Sequence, residues 1–171
     1  MASPEDLYEE TARTHGAALD RLSRAYEADP DKRRDLLQDI HFALWRSFES
    51  FDQRCSLRTW IYRVAHNVAT SHVISDRRAR SRQLLSIEEI DIADPKSASD
   101  QVIERGLALE KLMTLIRELK PLDRQLVLLF LEGVDAESIG EITGISTGNV
   151  ATRIHRIKKV LTTRFQAGAR S

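Results

Sequence analysis

Apolar residues recur at every third or fourth position along most of the chain, which is the spacing that lines one face of an α-helix. The longest run of this kind contains Leu36, Leu37, Ile40, Leu44, Phe48 and Phe51. A second run follows a short polar break and contains Leu57, Trp60, Ile61, Val64, Ala65 and Val68. No alternating apolar and polar pattern of useful length, as a β-strand would show, occurs in the sequence. The sequence therefore predicts an all-α fold.

Cap residues and prolines mark the helix boundaries in the first half of the chain. Ser3 and Pro4, followed by two acidic residues, combine an N-cap with a proline suited to the first helical position. Asp29 and Pro30 repeat this signal, so the first helix should end before Pro30 and a second should start at once. Ser56 is a suitable cap for a third helix.

The helical spacing fades after Gln83 and resumes after Ser99. The segment between them contains Asp94-Pro95 and several Ser and Ala residues, and so long a structureless stretch is unusual inside one compact domain. We therefore expect two small helical domains. Their predicted bounds are residues 1–82 and 99–171, with a linker over residues 83–98.

The second domain shows four helical segments. Apolar spacing runs from Val102 to Leu119, where Pro121 ends the helix and Asp123 should cap the next one. Two further helices are predicted at residues 136–143 and 147–166, with a turn between them.

The formal net charge is zero, but the charges are strongly segregated along the chain. Between Arg54 and Arg82 every charged residue is an arginine except Asp76, and from Thr147 to the end there is no acidic residue at all. The linker and its edges are acidic, with Glu88, Glu89, Asp91, Asp94, Asp100 and Glu104. Two basic surfaces joined by an acidic connector indicate binding to nucleic acid.

Composition narrows the possible functions. Cys55 is the only cysteine and the 5 histidines are scattered, so we expect no internal disulfide, no metal site and no cofactor. No nucleophile and base pair, carboxylate dyad or glycine-rich phosphate loop indicates an enzyme or a small-molecule substrate.

The acidic N-terminal segment does not resemble a signal peptide, and no apolar run approaches the roughly 20 residues of a membrane span. We expect a cytoplasmic protein that reaches a membrane only through a partner.

Residues 136–161 have the layout of a helix-turn-helix, in which the second helix enters the major groove of DNA. Gly144 permits the turn, Ser146 caps the second helix, and apolar residues on both helices can bury against each other. The outward face of the second helix should then present Thr147, Asn149, Thr152, Arg153, Arg156 and Lys159. Arginine can pair with guanine, asparagine with adenine, and lysine with phosphate. A solvated basic face on an ordinary helical bundle is the alternative.

With these motifs in place, the sequence resembles the extracytoplasmic-function (ECF) sigma factors of the sigma-70 family over nearly its whole length. The first match is RRDLLQDIHFALWRSFESFD followed by LRTWIYRVAHNVA, which is similar to region two of that family. The second is the helix-turn-helix, whose GISTGNV and Ile-His-Arg steps look like region four. Both matches occur in the family's order, separated by the acidic linker.

In that family, the exposed edge of the Asp-Leu-x-Gln helix binds the coiled coil of the polymerase β′ subunit. The resemblance assigns this contact to Asp35, Leu36, Gln38 and Asp39. The residues alone favour a simpler interpretation, in which Asp35 and Asp39 solvate the outer face of the helix.

The family's Trp-containing helix takes part in capturing the −10 promoter element as it opens. A separating strand needs stacking surfaces for its bases and cations along its phosphates. The resemblance therefore gives the −10 candidates Trp60, Tyr62, Asn67, Ser71, Arg77, Arg78 and Arg80. The spacing of Trp60 with Leu57 and Val64 also predicts a core position, which we favour for Trp60. Ser71 and Leu57 depart from the family, which commonly has an acid and an aromatic residue at these positions.

The resemblance implies an alternative sigma factor that binds core RNA polymerase through the β′ and β subunits, recognises the −35 and −10 elements of promoter DNA, and helps to open them. The acidic linker would thread the polymerase cleft towards the RNA exit path. The resemblance also allows an anti-sigma partner, which is often membrane-linked in this family.

Two alternative functions are a conventional helix-turn-helix regulator outside the holoenzyme, and a small enzyme or adaptor with an incidental basic helix. The first leaves the Asp-Leu-Leu-Gln and Trp segments unexplained.

Overall fold

A computed structural model of the chain describes residues 2–83 and 100–168. Helices occupy most of these two ranges, which contain no strand, and the all-α prediction is confirmed. The helices are α1 Pro4–Tyr26, α2 Pro30–Ser47, α3 Leu57–Gln83, α4 Asp100–Arg117, α5 Pro121–Leu131, α6 Ala136–Thr143 and α7 Thr147–Gly168, with a 3-10 turn at Phe48–Ser50. Apart from Gln83, the predicted acidic linker lies outside the described residues.

Side-chain caps begin the first two helices where the sequence predicts them. The hydroxyl of Ser3 accepts a hydrogen bond from the N–H of Asp6 at 3.1 Å, and the Asp6 carboxylate accepts one from the N–H of Ser3 at 2.9 Å. Asp29 accepts bonds from two N–H groups in the first turn of α2. The prediction that Asp123 caps α5 is wrong, because the helix begins at Pro121 and Asp123 lies in its first turn. Proline fits there because its missing N–H would have no helical partner.

The first half of the chain, α1 to α3, packs around the apolar face predicted for α2. Leu36, Ile40 and Leu44 are completely buried between α1 and α3. Leu19 on α1 and Ile61 on α3 are also completely buried in this core. Full burial of one such side chain stabilises the folded chain by about 1.5–3 kcal/mol, so this stripe fixes which face of α2 points outward.

The second half, α4 to α7, has its own apolar centre. Ile116, Leu126 and Leu129 are completely buried, and α7 contacts each of the other three helices. One expectation fails at the start of α4. Leu107, which its spacing places with the apolar face, is 53% exposed.

The two halves pack against each other, which the sequence does not predict. Arg21 on α1 forms a two-pronged ion pair with Glu132 after α5, at 2.7 and 2.9 Å. On α3, Arg58 donates to the backbone carbonyl of Glu132 at 2.5 Å, and Arg63 donates to that of Glu141 at 3.2 Å. Both carbonyls lie at helix C-termini, where backbone oxygens lack helical partners and carry partial negative charge.

His66 on α3 is the most deeply buried titratable group of the first half, at 1% exposure. Its Nδ1 lies 2.8 Å from the hydroxyl of Tyr26, within hydrogen-bonding distance. Burial lowers the pKa of His66 to about 3, so the imidazole is neutral in the folded protein near neutral pH.

We predict that acidification from pH 7 to pH 5 destabilises the protein through His66. Its pKa is about 3 in the folded chain, against 6.5 for a histidine in water, so below pH 6.5 the unfolded chain binds a proton that the folded chain does not. This group alone should lower the free energy of unfolding by about 2 kcal/mol over that interval. Urea unfolding at both pH values measures the change. His66→Asn cannot titrate and should show a smaller fall, whereas an equal fall in both proteins would contradict the assignment.

Candidate nucleic-acid and polymerase interfaces

α6 and α7 meet in the tight arrangement that the sequence predicts for a helix-turn-helix. Asp135 begins α6 by accepting hydrogen bonds from the N–H and hydroxyl of Ser138 at 2.9 and 2.8 Å. Gly144 ends α6 with a φ of 79°, a conformation that strains residues with a side chain. At Gly140 an added Cβ would lie 2.8 Å from the carbonyl oxygen of Ile145. The two glycines therefore fix how closely α7 approaches α6.

α7 has one buried and one exposed face, as its spacing predicts. The buried stripe consists of Val150, Ile154, Ile157 and Leu161. Of the side chains predicted to face outward, those exposed are Thr147, Asn149, Thr152, Arg156 and Lys159. The hydroxyl of Ser146 accepts a hydrogen bond from the N–H of Asn149 at 3.3 Å, at the start of the helix. The outer face therefore combines hydrogen-bonding and basic side chains with no acid.

The C-terminal half of α3 presents a second polar and basic surface. Its exposed candidates are Asn67, Ser71, Arg77, Arg78 and Arg80. Beside α2, an open groove of about 490 Å³ is lined by Asp39, Asn67, Val68, Ser71, His72 and Ser75. Asp76 contacts Lys32 at 2.8 Å and Arg80 at 2.9 Å, and the hydrogen bond from Lys32 is the main reason that the pKa of Asp76 is lowered. Arg80 is therefore held on the helix surface by an acid.

The outer face of α2 is polar at its start and aromatic further along. Its exposed polar residues are Asp35, Gln38 and Asp39. Phe42 and Trp45 are 58% and 44% exposed, with stacked rings whose centroids are 6.4 Å apart. The guanidinium of Arg46 lies 5.7 Å from the centre of the Phe42 ring. Two large apolar side chains side by side in solvent indicate a protein contact surface.

Two protein-family models match the ranges that contain these surfaces. The family model of sigma-70 region 2 matches residues 11–79, which contain α2 and most of α3. The family model of sigma-70 region 4 matches residues 109–161, which contain the helix-turn-helix. The chain belongs to the sigma-70 family.

Similar proteins place it among the ECF sigma factors. The ECF RNA polymerase sigma-E factor of Haemophilus influenzae is 27% identical over 139 residues, which is 77% of this chain and 74% of the relative. The RNA polymerase sigma-E factor of Streptomyces coelicolor is 28% identical over 150 residues, 87% of this chain and 80% of the relative. The solved structure of the sigma factor RpoE with the anti-sigma factor NepR from Bartonella quintana shares the fold, with a TM-score of 0.65 and 21% identity over 91% of this chain and 94% of that one.

The protein is thus an alternative sigma factor of the ECF type, which binds core RNA polymerase and promoter DNA to initiate transcription and is not an enzyme. The alternative of a conventional regulator outside the holoenzyme is not favoured, because region 2 is present as well as the helix-turn-helix. Within residues 2–83 and 100–168, no helix is both long and apolar enough to cross a membrane.

One candidate of the sigma factor's recognition helix needs correction. Arg153 is only partly exposed, because its Nη2 lies 3.1 Å from the carboxylate of Asp123 on α5. Position 153 flanks the buried stripe, three residues after Val150 and four before Ile157. Arg153 therefore holds α7 to α5 in this structure and is not the freely exposed arginine that the sequence predicts.

Two further predicted contact residues are buried in this structure and not exposed. Leu36 is completely buried, so it cannot offer a surface to polymerase and instead anchors α2. Tyr62 is 2% exposed and lines a cavity together with Leu128 and Glu132 of the second half, so it is closed to DNA in this arrangement. Trp60 packs as the favoured core interpretation predicts, with its Nε1 donating to Ser47 at 2.9 Å.

Sequence reasoning missed several residues on these faces. His155 is exposed on α7, three residues after Thr152 and four before Lys159, so its spacing alone places it on the same face. On α2, Phe42 follows Gln38 by four residues, and Trp45 follows Phe42 by three. The sequence could have predicted that both aromatic side chains are exposed, because neither Phe42 nor Trp45 fits the three- and four-residue spacing of the buried Ile40 and Leu44.

We predict that Gly140→Ala weakens DNA binding by displacing α7. The new Cβ meets a backbone oxygen that cannot rotate away, so the turn must shift, at a cost to stability of about 1–3 kcal/mol. Urea unfolding and gel-shift titration with −35 DNA measure the two effects. Gly106→Ala on α4 is the matched control, because its Cβ would meet nothing within 4 Å. Equal effects of the two substitutions would show that the close approach at Gly140 does not set the position of α7.

Proposed function

We propose that this sigma factor reads the −35 element with α7, captures the −10 element with α3 and binds the β′ coiled coil of core polymerase with α2. The observation that carries the proposal is the orientation of α7. Its buried stripe holds the helix so that a basic, acid-free face points outward. That face has the chemistry of major-groove recognition.

On α7, we assign base reading to Arg156, with Thr152 and His155 beside it. The arginine fork can donate two hydrogen bonds to the edge of guanine, which a lysine cannot do. Lys159 contacts phosphate in this proposal. Thr147 and Asn149 lie in the first turn, where N–H groups without helical partners attract a backbone phosphate.

On α3, Asn67 and Ser71 line the groove beside α2 and are suited to hold a base that has left the duplex. Arg77 and Arg78 are exposed towards the end of the same helix and can follow the phosphates of the separated strand. Arg80 joins them if DNA displaces it from Asp76.

Residues 1–82 and 99–171 act as two units joined by the acidic linker of residues 83–98, which threads the polymerase towards the RNA exit path. Supporting this, the contacts between the two halves include ion pairs and helix-end hydrogen bonds, which are typical of interfaces between mobile domains. Separation of the halves would uncover Tyr62 and release Arg58 and Arg63 for the promoter strand.

On α2, the polymerase contact consists of Asp35, Gln38 and Asp39, extended by Phe42 and Trp45. Tryptophan is among the residues that contribute most to binding energy at protein interfaces, so we expect Trp45 to be a central contact. The carboxylates of Asp35 and Asp39 would increase the rate of association with a basic partner surface.

An anti-sigma factor is a further partner in this proposal, supported by the similar fold of the RpoE and NepR complex. The protein acts in the cytoplasm and meets a membrane only through such a partner.

We predict that replacing Asp35 and Gln38 together with Ala weakens association with core polymerase at least tenfold, because about 1.4 kcal/mol of lost contact energy has that effect. Both side chains are exposed, so the fold should persist. Gel filtration and fluorescence titration with core polymerase measure the association. Glu9→Ala with Arg13→Ala on the exposed side of α1 is the control pair and should bind normally. Unchanged affinity in a folded Asp35 and Gln38 variant would remove α2 from the interface.

We predict that Arg156→Ala costs about 1–3 kcal/mol of −35 binding and relaxes preference at one or two base pairs. Lys159→Ala should weaken all sequences similarly and reduce the salt dependence of binding. A panel of single-base −35 variants, titrated at two salt concentrations, separates the two effects. Arg153→Ala is the structural comparison and should lower stability more than base preference. Loss of base preference in Arg153→Ala but not in Arg156→Ala would refute this orientation of α7.

A further inference from the structure

A polar cavity of about 260 Å³ lies between the two halves of the chain. Its charged lining residues are Arg77 and Arg80 from α3, Arg117 from α4, Arg124 from α5, and the acids Glu27 and Asp76. Four arginines from three helices therefore surround one small space. Promoter recognition explains the exposed pair on α3, but it gives no role to the two arginines from α4 and α5.

Both acids in the lining already have basic partners. The carboxylate of Glu27 lies 2.9 Å from Nε2 of His72. The carboxylate of Asp76 contacts Lys32 at 2.8 Å and Arg80 at 2.9 Å. Across residues 2–83 and 100–168, the other three arginines of the cavity form no ion pair with a carboxylate.

Arg124 is the most buried of these arginines, at 3% exposure. Its Nη2 donates to the backbone carbonyls of Arg117 and Leu119, and its guanidinium lies 5.2 Å from the centre of the Tyr26 ring. Its Nε has no hydrogen-bond partner in the part of the chain that the structure describes. Burial lowers the pKa of Arg124; Tyr26 opposes this shift, and the positive charges of Arg77 and Arg117 add to it.

Arg117 and Arg77 face the same space with unused donors. Arg117 donates two bonds to the carbonyl of Arg24, at 3.0 and 2.8 Å, which leaves the rest of its five N–H groups. Arg77 is exposed, and its side chain makes no hydrogen bond within the described ranges. Three like charges close together, none of them ion-paired among the described residues and together with Arg80 outnumbering the two acids of the lining, are the electrostatic signature of an anion site.

We propose that this cavity binds a phosphate-type dianion between Arg77 on α3, Arg117 on α4 and Arg124 on α5. The planar arginine fork matches the oxygen atoms of a phosphoryl group and binds them through charge-assisted hydrogen bonds. The dianion supplies the direct ionic partner that the three arginines lack. Because its ligands come from both halves, it also ties α3 to α4 and α5.

The size of the cavity limits what part of a ligand it can enclose. Sites that enclose a drug-sized molecule typically measure about 300–1,000 Å³. The 260 Å³ available here suits a phosphoryl group and leaves a nucleoside outside. Inorganic phosphate and the phosphoryl end of a nucleotide offer the same chemistry to the three arginines.

Anion binding and promoter binding would compete for Arg77. This consequence rests on the proposed function of α3, whereas binding of the anion does not. A cell with much of this anion would hold the sigma factor in the packed arrangement and away from the −10 strand.

Isothermal titration calorimetry tests the proposal. Inorganic phosphate is titrated into the full chain at constant ionic strength, with chloride as the reference anion. Arg77→Gln is the informative variant, because its loss breaks no ion pair of the described residues. Arg78→Gln is the matched control, since this neighbouring exposed arginine lines a different groove. We expect the control to bind like the original protein and Arg77→Gln to bind about tenfold more weakly, the effect of losing one charge-assisted hydrogen bond.

Arg117→Gln removes a proposed phosphate ligand on α4, in the second half of the chain, and should also weaken phosphate binding. Titration with adenosine monophosphate separates the two sources of the ligand: similar affinity assigns recognition to the phosphoryl group alone, and much tighter binding assigns it to a nucleotide. Binding no stronger than that of chloride, or equal weakening in Arg77→Gln and Arg78→Gln, overturns the proposal. Binding of −10 DNA without phosphate tests the function of α3 separately.

Discussion

The C-termini of α1, α4, α5, α6 and α7 each accept a hydrogen bond from a basic side chain of another helix. The last carbonyls of an α-helix have no partner within it and carry partial negative charge, so a cation there both donates a hydrogen bond and neutralises charge. The donor and acceptor pairs are Arg117 and Arg24, Arg124 and Arg117, Arg58 and Glu132, Arg63 and Glu141, and Lys111 and Phe165. Each pair joins two helices, so the bonds that complete the helices also determine how the helices are arranged.

Arg58, Arg63 and Arg117 make these bonds across the boundary between the two halves. A single hydrogen bond from a charged group contributes at most about 1.5–3 kcal/mol net, since water can replace it when the halves part. Apolar side chains also meet at this boundary, since the buried residues of α1 to α3 and of α4 to α7 form one continuous core. Under the proposed function, in which the halves separate to reach two promoter elements, both these hydrogen bonds and the shared apolar contacts would have to be exchanged for contacts with polymerase and DNA.

The parts of this fold that the sequence predicts are those fixed by short-range physics. The caps at Ser3 and Asp29 act within one helical turn, and the buried stripe of α7 follows from its spacing alone. The misassigned residues depend on contacts between distant segments: Arg153 meets Asp123 only because α5 packs beside α7, and Tyr62 is closed off only because the second half covers it. Leu36 on α2 is a different kind of error. The family motif includes it in the polymerase contact, whereas its spacing with Ile40 and Leu44 assigns it to the core. The structure agrees with the spacing, because Leu36 is completely buried.

Charge placement explains how a chain of zero net charge serves a DNA-binding function. Acids pair with part of the basic set at the surface: Asp123 contacts Arg153 at 3.1 Å, and Asp76 contacts Arg80 at 2.9 Å. Arg156 and Lys159 have no such partner within the described ranges, and no acid occurs on α7 to oppose them. The salt dependence of DNA binding reflects only the cations that reach phosphate, so it is set by these few exposed side chains and not by all 26 basic residues. In the proposed function, discrimination between promoters would then depend on the base-reading positions of α7 and not on the total number of basic residues.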